Sequence, residues 1–270
     1  MTDEFQYPTG LGRSTTTEIS LFDKSLAGDL MGKVGFGELA LWLITQRRPS
    51  PGEVRVFEAV LVALADHGYT PTAIAARLTF LSAPDSIQGA MAAGLLGGGS
   101  RFLGVTEDTG HFLASALRDK EPLALNDHAA WDEAARDIVQ QTKAAKRFVP
   151  GLGHPNHKVA DPRTKVLMQI AKEEGVFGPH LTLFEAIGRV HPEILGRTLP
   201  LNGAGVCGAA LADLGIPGEV LRGVALLARA AGLLGQIAEE VRNPVGMDIY
   251  LHVDHHAVYE PSIYDPSQPE

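Results

Sequence analysis

Residues 151–165, GLGHPNHKVADPRTK, gather two histidines, two lysines, an aspartate and an arginine between a glycine turn and an apolar run. Gly151 and Gly153 permit a tight loop that delivers His154, His157 and Lys158 to a helix start carrying Arg163. A helix N-terminus exposes unpaired N–H groups and the positive end of its dipole, so added cations make an anion cradle with a titratable histidine beside it. The same residues also suit a solvated surface loop with an ordinary helix cap. A zinc site is disfavoured: His154 and His157 offer two ligands, and no cysteine is near.

Three further clusters carry chemistry. Arg229 sits among Ala225, Leu226, Leu227, Ala228, Ala230 and Ala231, where a guanidinium needs an anionic partner or a route to water. That partner is either a structural carboxylate or the carboxylate of a substrate. NGAGVCG, from Asn202, fits G-x-G-x-x-G through Gly203, Gly205 and Gly208, but the preceding GRTLPLN is a poor strand, so close helix packing explains the small residues equally well. Cys207 within it reads as a buried small hydrophobe rather than a nucleophile. In HVDHH, an extended chain puts His252, Asp254 and His256 on one face, as a metal or carboxylate site or simply a polar tail.

The elements that must position these groups are helical. Ser50 and Glu53 form a capping box around Pro51, apolar residues follow at helical spacing, and Gly68 is the stop, which puts His67 at the helix C-terminus, where the dipole favours an imidazolium. Asp161 caps a second helix, with Pro162 in its first turn and Gly175 at its end. Thr182 and Glu185 suggest a third capping box. Helices are also predicted over about Trp131 to Lys143 and Gly218 to Arg242, while the segment after Asn243 shows no helical period. No strand–helix alternation runs along the chain, which lowers the case for a parallel sheet.

Composition narrows the function classes. A chain of 270 residues with 45% hydrophobic and 20% charged residues holds a sizeable core. Its net charge of −9 and lack of a basic stripe argue against nucleic acid as the main partner. The single cysteine excludes an internal disulfide and a CxxC metal framework. The first 30 residues show neither a basic nor an apolar leader region, and the stretch from Gly223, interrupted by Arg229, reads as too short for a bilayer. A cytoplasmic protein with no membrane partner is expected.

Together the motifs resemble the citrate synthase superfamily: ADHG (65–68), GLGHPNHKVADPR (151–163) and ARAAGLLGQIAEE (228–240) stand in that family's order. TTTEISLFD (15–23), GFGELALWLITQRRPSPGE (35–53) and AGLLGGGSRFLG (93–104) are similar to its citryl-CoA lyase branch, which includes the C-terminal module of ATP-citrate lyase. The resemblance implies an all-α, two-domain citrate synthase-like fold and an intertwined homodimer. A large domain would comprise 1–104 and 213–270, and a small one, 105–212, would carry the catalytic loop and close over the substrate. It implies a carbon–carbon lyase giving acetyl-CoA and oxaloacetate or a related 2-oxo acid from an acyl-CoA, or the reverse. Coenzyme A would be a co-substrate, with no other cofactor and no metal. His67 and His154 would polarise the keto or hydroxyl oxygen, Arg163 and Arg229 would clamp carboxylates, and Lys158, with Gly151 and Gly153, would meet CoA.

Two positions depart from the family pattern. Ala204, two residues after Asn202, stands where the family has its catalytic aspartate, and alanine transfers no proton. Asp254 stands, before Tyr259, where the family brings an arginine from the partner's tail. Leu103 replaces a histidine of the citrate synthases, as the lyase branch does. An acid in place of an arginine disfavours a substrate carboxylate there, so a substrate other than citryl-CoA itself is expected, with His252, His256, Asp108, His111 or water as proton donor. Ala204 also supports a non-catalytic relative that binds CoA or a carboxylate. A dinucleotide-binding protein, resting on the three glycines, is disfavoured by the missing βαβ pattern.

Overall fold

The structure is a computed structural model that describes residues 6–118, 120–154 and 159–260. It is helical, as the patterning predicts. Three short antiparallel strands, β1 (Gly12–Ser14), β2 (Ile19–Leu21) and β3 (Lys24–Ser25), come first, with Gly12 opposite Leu21 and Ser20 opposite Ser25. Eleven α-helices are assigned among the described residues: α1 (Phe36–Thr45), α2 (Pro51–Ala65), α3 (Pro71–Ser82), α4 (Ile87–Leu96), α5 (Gly104–Leu117), α6 (His128–Ala144), α7 (Pro162–Glu173), α8 (Pro179–Leu195), α9 (Gly203–Asp213), α10 (Leu221–Arg242) and α11 (Gly246–His255).

The chain forms two compact units. The first comprises Met1–Leu64 and Ser100–Leu227; the second, Ala65–Gly99 and Ala228–Glu270. This is a different partition of the chain from the domains expected above. In the first unit, α6 packs on α8, and α5, α7 and α8 pack on α9. Trp131, Phe184, Leu183, Ile187 and Leu211 are wholly buried in it. In the second, α3 packs on α4 and α11, and Ala76, Ala90, Leu233 and Ile237 form a core under Phe80, Met91 and Leu95.

Local capping follows the sequence where the partners are close in it. Ser50 N–H donates to Glu53 at 2.8 Å and Glu53 N–H to Ser50 Oγ at 3.3 Å, a reciprocal box that satisfies two otherwise unpaired donors of α2. The third expected box is overturned. Helix α8 starts earlier, at Pro179, and Thr182 Oγ1 donates back to the Gly178 carbonyl at 2.8 Å. The donors of its first turn go instead to Asp213 at the end of α9, which accepts from Gly178, His180 and Leu181 N–H at 2.9–3.0 Å. The segment after Asn243 is corrected too: residues Gly246–His255 are the helix α11, whose first-turn donors Val245 and Gly246 N–H reach Glu240 at 3.0 and 2.7 Å.

The reading of the Gly223 stretch as too short for a bilayer does not hold. With the 3-10 turn Gly218–Val220, the helix runs continuously to Arg242, long and apolar enough to cross a membrane by length and composition. One side of it is buried in protein, while Leu234 and Val241 are exposed. Leu221, Val224, Ala225, Ala228, Leu233 and Ile237 are buried in protein, and so are Arg229, Gln236 and Glu240, each hydrogen-bonded there.

Candidate functional site

In the first unit, the glycine loop is held against the start of α9 by the Asn202 side chain and by backbone bonds. Asn202 caps α9 by accepting from Gly205 N–H at 2.8 Å, and its amide donates to the Gly153 carbonyl at 2.8 Å. Asn202 N–H donates to the Gly151 carbonyl at 2.9 Å, Gly153 N–H to the Pro200 carbonyl at 2.8 Å, and Leu152 bridges Leu201. Gly151 (φ +82) is left-handed and so close to Phe184 that a Cβ there would lie 2.6 Å from the ring. The loop thus presents a half-buried His154, one residue beyond the Gly153 carbonyl that Asn202 holds.

Asp161 and Arg163 complete this region. The buried Asp161 carboxylate caps α7 and receives Arg163 Nε at 3.0 Å and Nη2 at 2.8 Å, a two-bonded ion pair across two residues. It also accepts from Gly203 N–H at 2.7 Å, so one carboxylate ties α7 to α9. Arg163 Nη1 donates to the Ala63 carbonyl at 3.1 Å. Burial opposes ionisation of Asp161, but the bonds from Arg163 and Gly203 outweigh it and hold the carboxyl well below its ordinary range. The same hydrogen bond to Asp161 raises Arg163.

The small residues of NGAGVCG serve packing. A Cβ on Gly208 would lie 2.1 Å from the Thr106 carbonyl oxygen, so this glycine lets α9 touch α5 backbone to backbone. No strand precedes it, and the glycines form no dinucleotide fingerprint. Cys207 is wholly buried, and burial pushes its thiol up to about 12, which leaves it no thiolate at neutral pH.

The second unit holds the other set. His67 lies two residues beyond the end of α2, in an exposed turn rather than on the last helical residue. Gly68 is left-handed (φ +69), and its N–H donates to Asp66 Oδ2 at 2.9 Å. Arg229 on α10 is 5% exposed and donates to Thr70 Oγ1 at 3.2 Å and Thr72 Oγ1 at 3.5 Å. Asp66 is disfavoured as an anion by desolvation, yet the Gly68 N–H, Gln236 and the Arg229 charge hold it below its ordinary value. Helix α10 comes very close here: a Cβ on Gly232 would sit 1.9 Å from the Ala65 carbonyl oxygen.

The arrangement offers polar histidines on glycine-shaped turns, each with an arginine and an anchored carboxylate in its own unit. Comparison with known proteins decides the family. The profile of "Citrate synthase, C-terminal domain" matches residues 22–248.

The chain belongs to the citrate synthase family.

Among solved structures it is similar to citryl-CoA lyase from Hydrogenobacter thermophilus, with 27% identity, a TM-score of 0.82, and 98% of this chain and 96% of that one covered. The fold also matches ATP citrate lyase from Methanothrix soehngenii, solved with citrate and coenzyme A, at 22% identity and a TM-score of 0.76, over 97% of this chain and 43% of that one. Citrate synthase from Synechocystis sp. is 24% identical over 85% of this chain and 56% of its own length. The chain spans about half the length of the curated citrate synthases it matches, 50–56%.

The remaining expected site residues of this family member fall as follows. His157 and Lys158 lie outside the described residues. Ala204 is in the first turn of α9, half-buried. Leu103 stands just before α5 with a left-handed backbone (φ +70). Asp108 and His111 are exposed on α5 and line a cavity of about 890 Å³ in the first unit with Lys120, Arg147 and Phe148. The shared face expected of His252, Asp254 and His256 is corrected by the helical conformation of α11. Its period brings His252 and His256 together, ring centroids 4.4 Å apart, and turns Asp254 away. Among the described residues, no group of three or more His, Cys, Asp or Glu side chains is arranged to hold a metal ion. Sequence reasoning missed Asp66, Gln236 and Arg77, whose connections span 159–170 residues.

Proposed function

We propose that this protein is a carbon–carbon lyase acting on a CoA thioester, cleaving citryl-CoA or a close 3-hydroxyacyl-CoA to acetyl-CoA and oxaloacetate or a related 2-oxo acid. The observation that carries the reading is the match to a citryl-CoA lyase over 98% of this chain and 96% of that one, against half-length matches to citrate synthases. A homodimer in the cytoplasm, with coenzyme A as co-substrate and no other cofactor, belongs to the same proposal.

His67, Arg229, His154 and Arg163 are assigned to this reaction. The substrate hydroxyl gives its proton to a base, for which His154 is assigned, and its O–H electron pair becomes the new carbonyl bond. The adjacent carbon–carbon bond breaks, and its electron pair passes into the thioester as an enolate. His67 polarises the forming carbonyl oxygen. Arg229 holds a substrate carboxylate. Arg163, whose Nε–Nη2 edge is already covered by Asp161, chiefly fixes the α9 turn. The enolate carbon then takes a proton. Ala204 supplies none, so water or one of Asp108, His111, His252 and His256 is assigned that transfer.

The test is turnover of citryl-CoA and 3-hydroxyacyl-CoA analogues by the purified chain, with products read by mass spectrometry. Cleavage that is lost in His154→Ala supports the reading; cleavage of an analogue alone identifies the altered substrate. The second reading, a non-catalytic CoA-thioester binder, is favoured by Ala204. It predicts binding without cleavage. Ala204→Asp separates the two further, since a first-turn acid suits the helix dipole. If the position faces the acetyl carbon, the variant speeds solvent exchange of the acetyl-CoA methyl protons; an unchanged exchange rate contradicts that placement.

A further inference from the structure

One stripe of α10 faces the His67 turn. Arg229, Gly232, Gln236 and Glu240 recur at spacings that keep them on one side of a helix. Gly232 brings the backbone against Ala65, and Gln236 reaches the turn through its side chain.

Behind Gln236 lies Arg77 of α3, a guanidinium with no solvent exposure. Its Nε donates to Gln236 Oε1 at 2.8 Å, its Nη1 to Glu240 Oε2 at 2.7 Å, and its Nη2 to Glu239. It also lies over the Tyr69 ring, 5.1 Å from the centroid. The other end of the Gln236 amide donates to Asp66 Oδ1 at 2.9 Å, while Asp66 Oδ2 accepts from Gly68 N–H. A single amide therefore connects a buried guanidinium to the carboxylate that precedes His67.

The chemistry of that link is selective. A guanidinium only donates and a carboxylate only accepts. The group between them must accept at one end and donate at the other, which an amide does in one orientation. A neutral imidazole has the same pattern. A glutamate keeps the acceptor toward Arg77 but sets a second carboxylate against Asp66, and a leucine supplies neither bond.

The geometry points to Gln236, backed by Arg77, as a positioning residue for the reaction: it fixes the Asp66 carboxylate and, through the Asp66–Gly68 turn, the direction in which His67 is presented. This rests on the reading that His67 serves cleavage of a CoA thioester.

The experiment compares Gln236→Leu, Gln236→Glu and Gln236→His in the full chain, with circular dichroism to select folded variants and a temperature well below unfolding. With citryl-CoA, the Leu and Glu variants are expected to lose about tenfold or more in kcat with KM changed less than about twofold, the signature of lost orientation. Gln236→His is expected to recover most of kcat. Folded Leu and Glu variants with wild-type kcat overturn the proposal, as does a His variant no better than Leu. Should Leu fail to fold, the Glu and His pair decides. A readout independent of turnover is the imidazole resonance of His67 in protein with labelled histidine. It is expected to move in the Leu and Glu variants and to return toward the wild-type position in Gln236→His. A wild type inactive on citryl-CoA and on its 3-hydroxyacyl-CoA analogues, with that pattern, overturns the lyase reading and leaves the positioning link standing; unmoved His67 resonances overturn the link whatever the activity.

Discussion

The Asp161 and Asp66 regions solve the same problem with opposite reach. Each anchors a carboxylate near a histidine-bearing turn. Asp161 finds its main partner two residues away, in Arg163, and adds the Gly203 N–H. Asp66 is held by Gly68 N–H on one oxygen and, on the other, by Gln236 from 170 residues along the chain, itself bonded to Arg77. The first arrangement is a rigid, buried joint between two helices of one unit. The second is an exposed turn tied down from beneath by side chains of α10 and α3. A local joint supplies stability to the loop that carries His154; a remote tie supplies direction to His67.

Breaking the local joint has the largest expected effect on stability. Asp161→Ala removes the cap of α7, leaves the Arg163 guanidinium without its partner and strands Gly203 N–H, so a loss of about 3–5 kcal/mol is expected in urea denaturation. A loss under about 1 kcal/mol contradicts the joint. The pH dependence follows from the same group. Asp161 is held below its ordinary value in the folded chain, so its contribution is full above the unfolded carboxylate pKa of about 3.9 and is lost as pH falls through the lower folded value. In Asp161→Asn, that acid-side slope is expected to disappear from the stability–pH curve.

The remote tie breaks at its closest approach. Gly232→Val places side-chain carbon where the Ala65 carbonyl stands, and an overpacking cost of roughly 1–3 kcal/mol is expected, measured by thermal unfolding. Next in size is Asn202→Ala, which removes the α9 cap and one bond to the glycine loop, for about 1–2 kcal/mol. The smallest effect sharpens the contrast with a surface pair. Glu53 is held at about 2 chiefly by Arg47, yet Arg47 is half exposed. Glu53→Gln keeps the capping geometry and is expected to cost under about 1 kcal/mol above pH 4.5, vanishing as pH falls toward 2.

The same contrast of reach explains what could be read in the sequence. The caps of α2 and α7 were legible because Ser50, Glu53, Asp161 and Arg163 find partners within three residues. The start of α8 was not, because Asp213 caps it from α9 and leaves Thr182 to bond back along its own helix. Helix α11 was hidden by its histidines and by donors that are satisfied from Glu240, outside the helix. His67, His154, Arg163 and Arg229 were legible as candidates from their types and settings. What each one touches was not, since Ala63, Thr70 and Gln236 meet them or their turns only through tertiary packing.

The measurement that tests the central claim most directly is incubation of the full chain with citryl-CoA in deuterated water, with CoA products read by mass spectrometry. Carbon–carbon cleavage passes through an enolate that takes its proton from exchangeable sites, so the lyase reading predicts oxaloacetate and acetyl-CoA carrying a single deuterium, and neither with His154→Ala. Free CoA and citrate, the products of thioester hydrolysis, would contradict it, as would binding without turnover of both citryl-CoA and its 3-hydroxyacyl-CoA analogues.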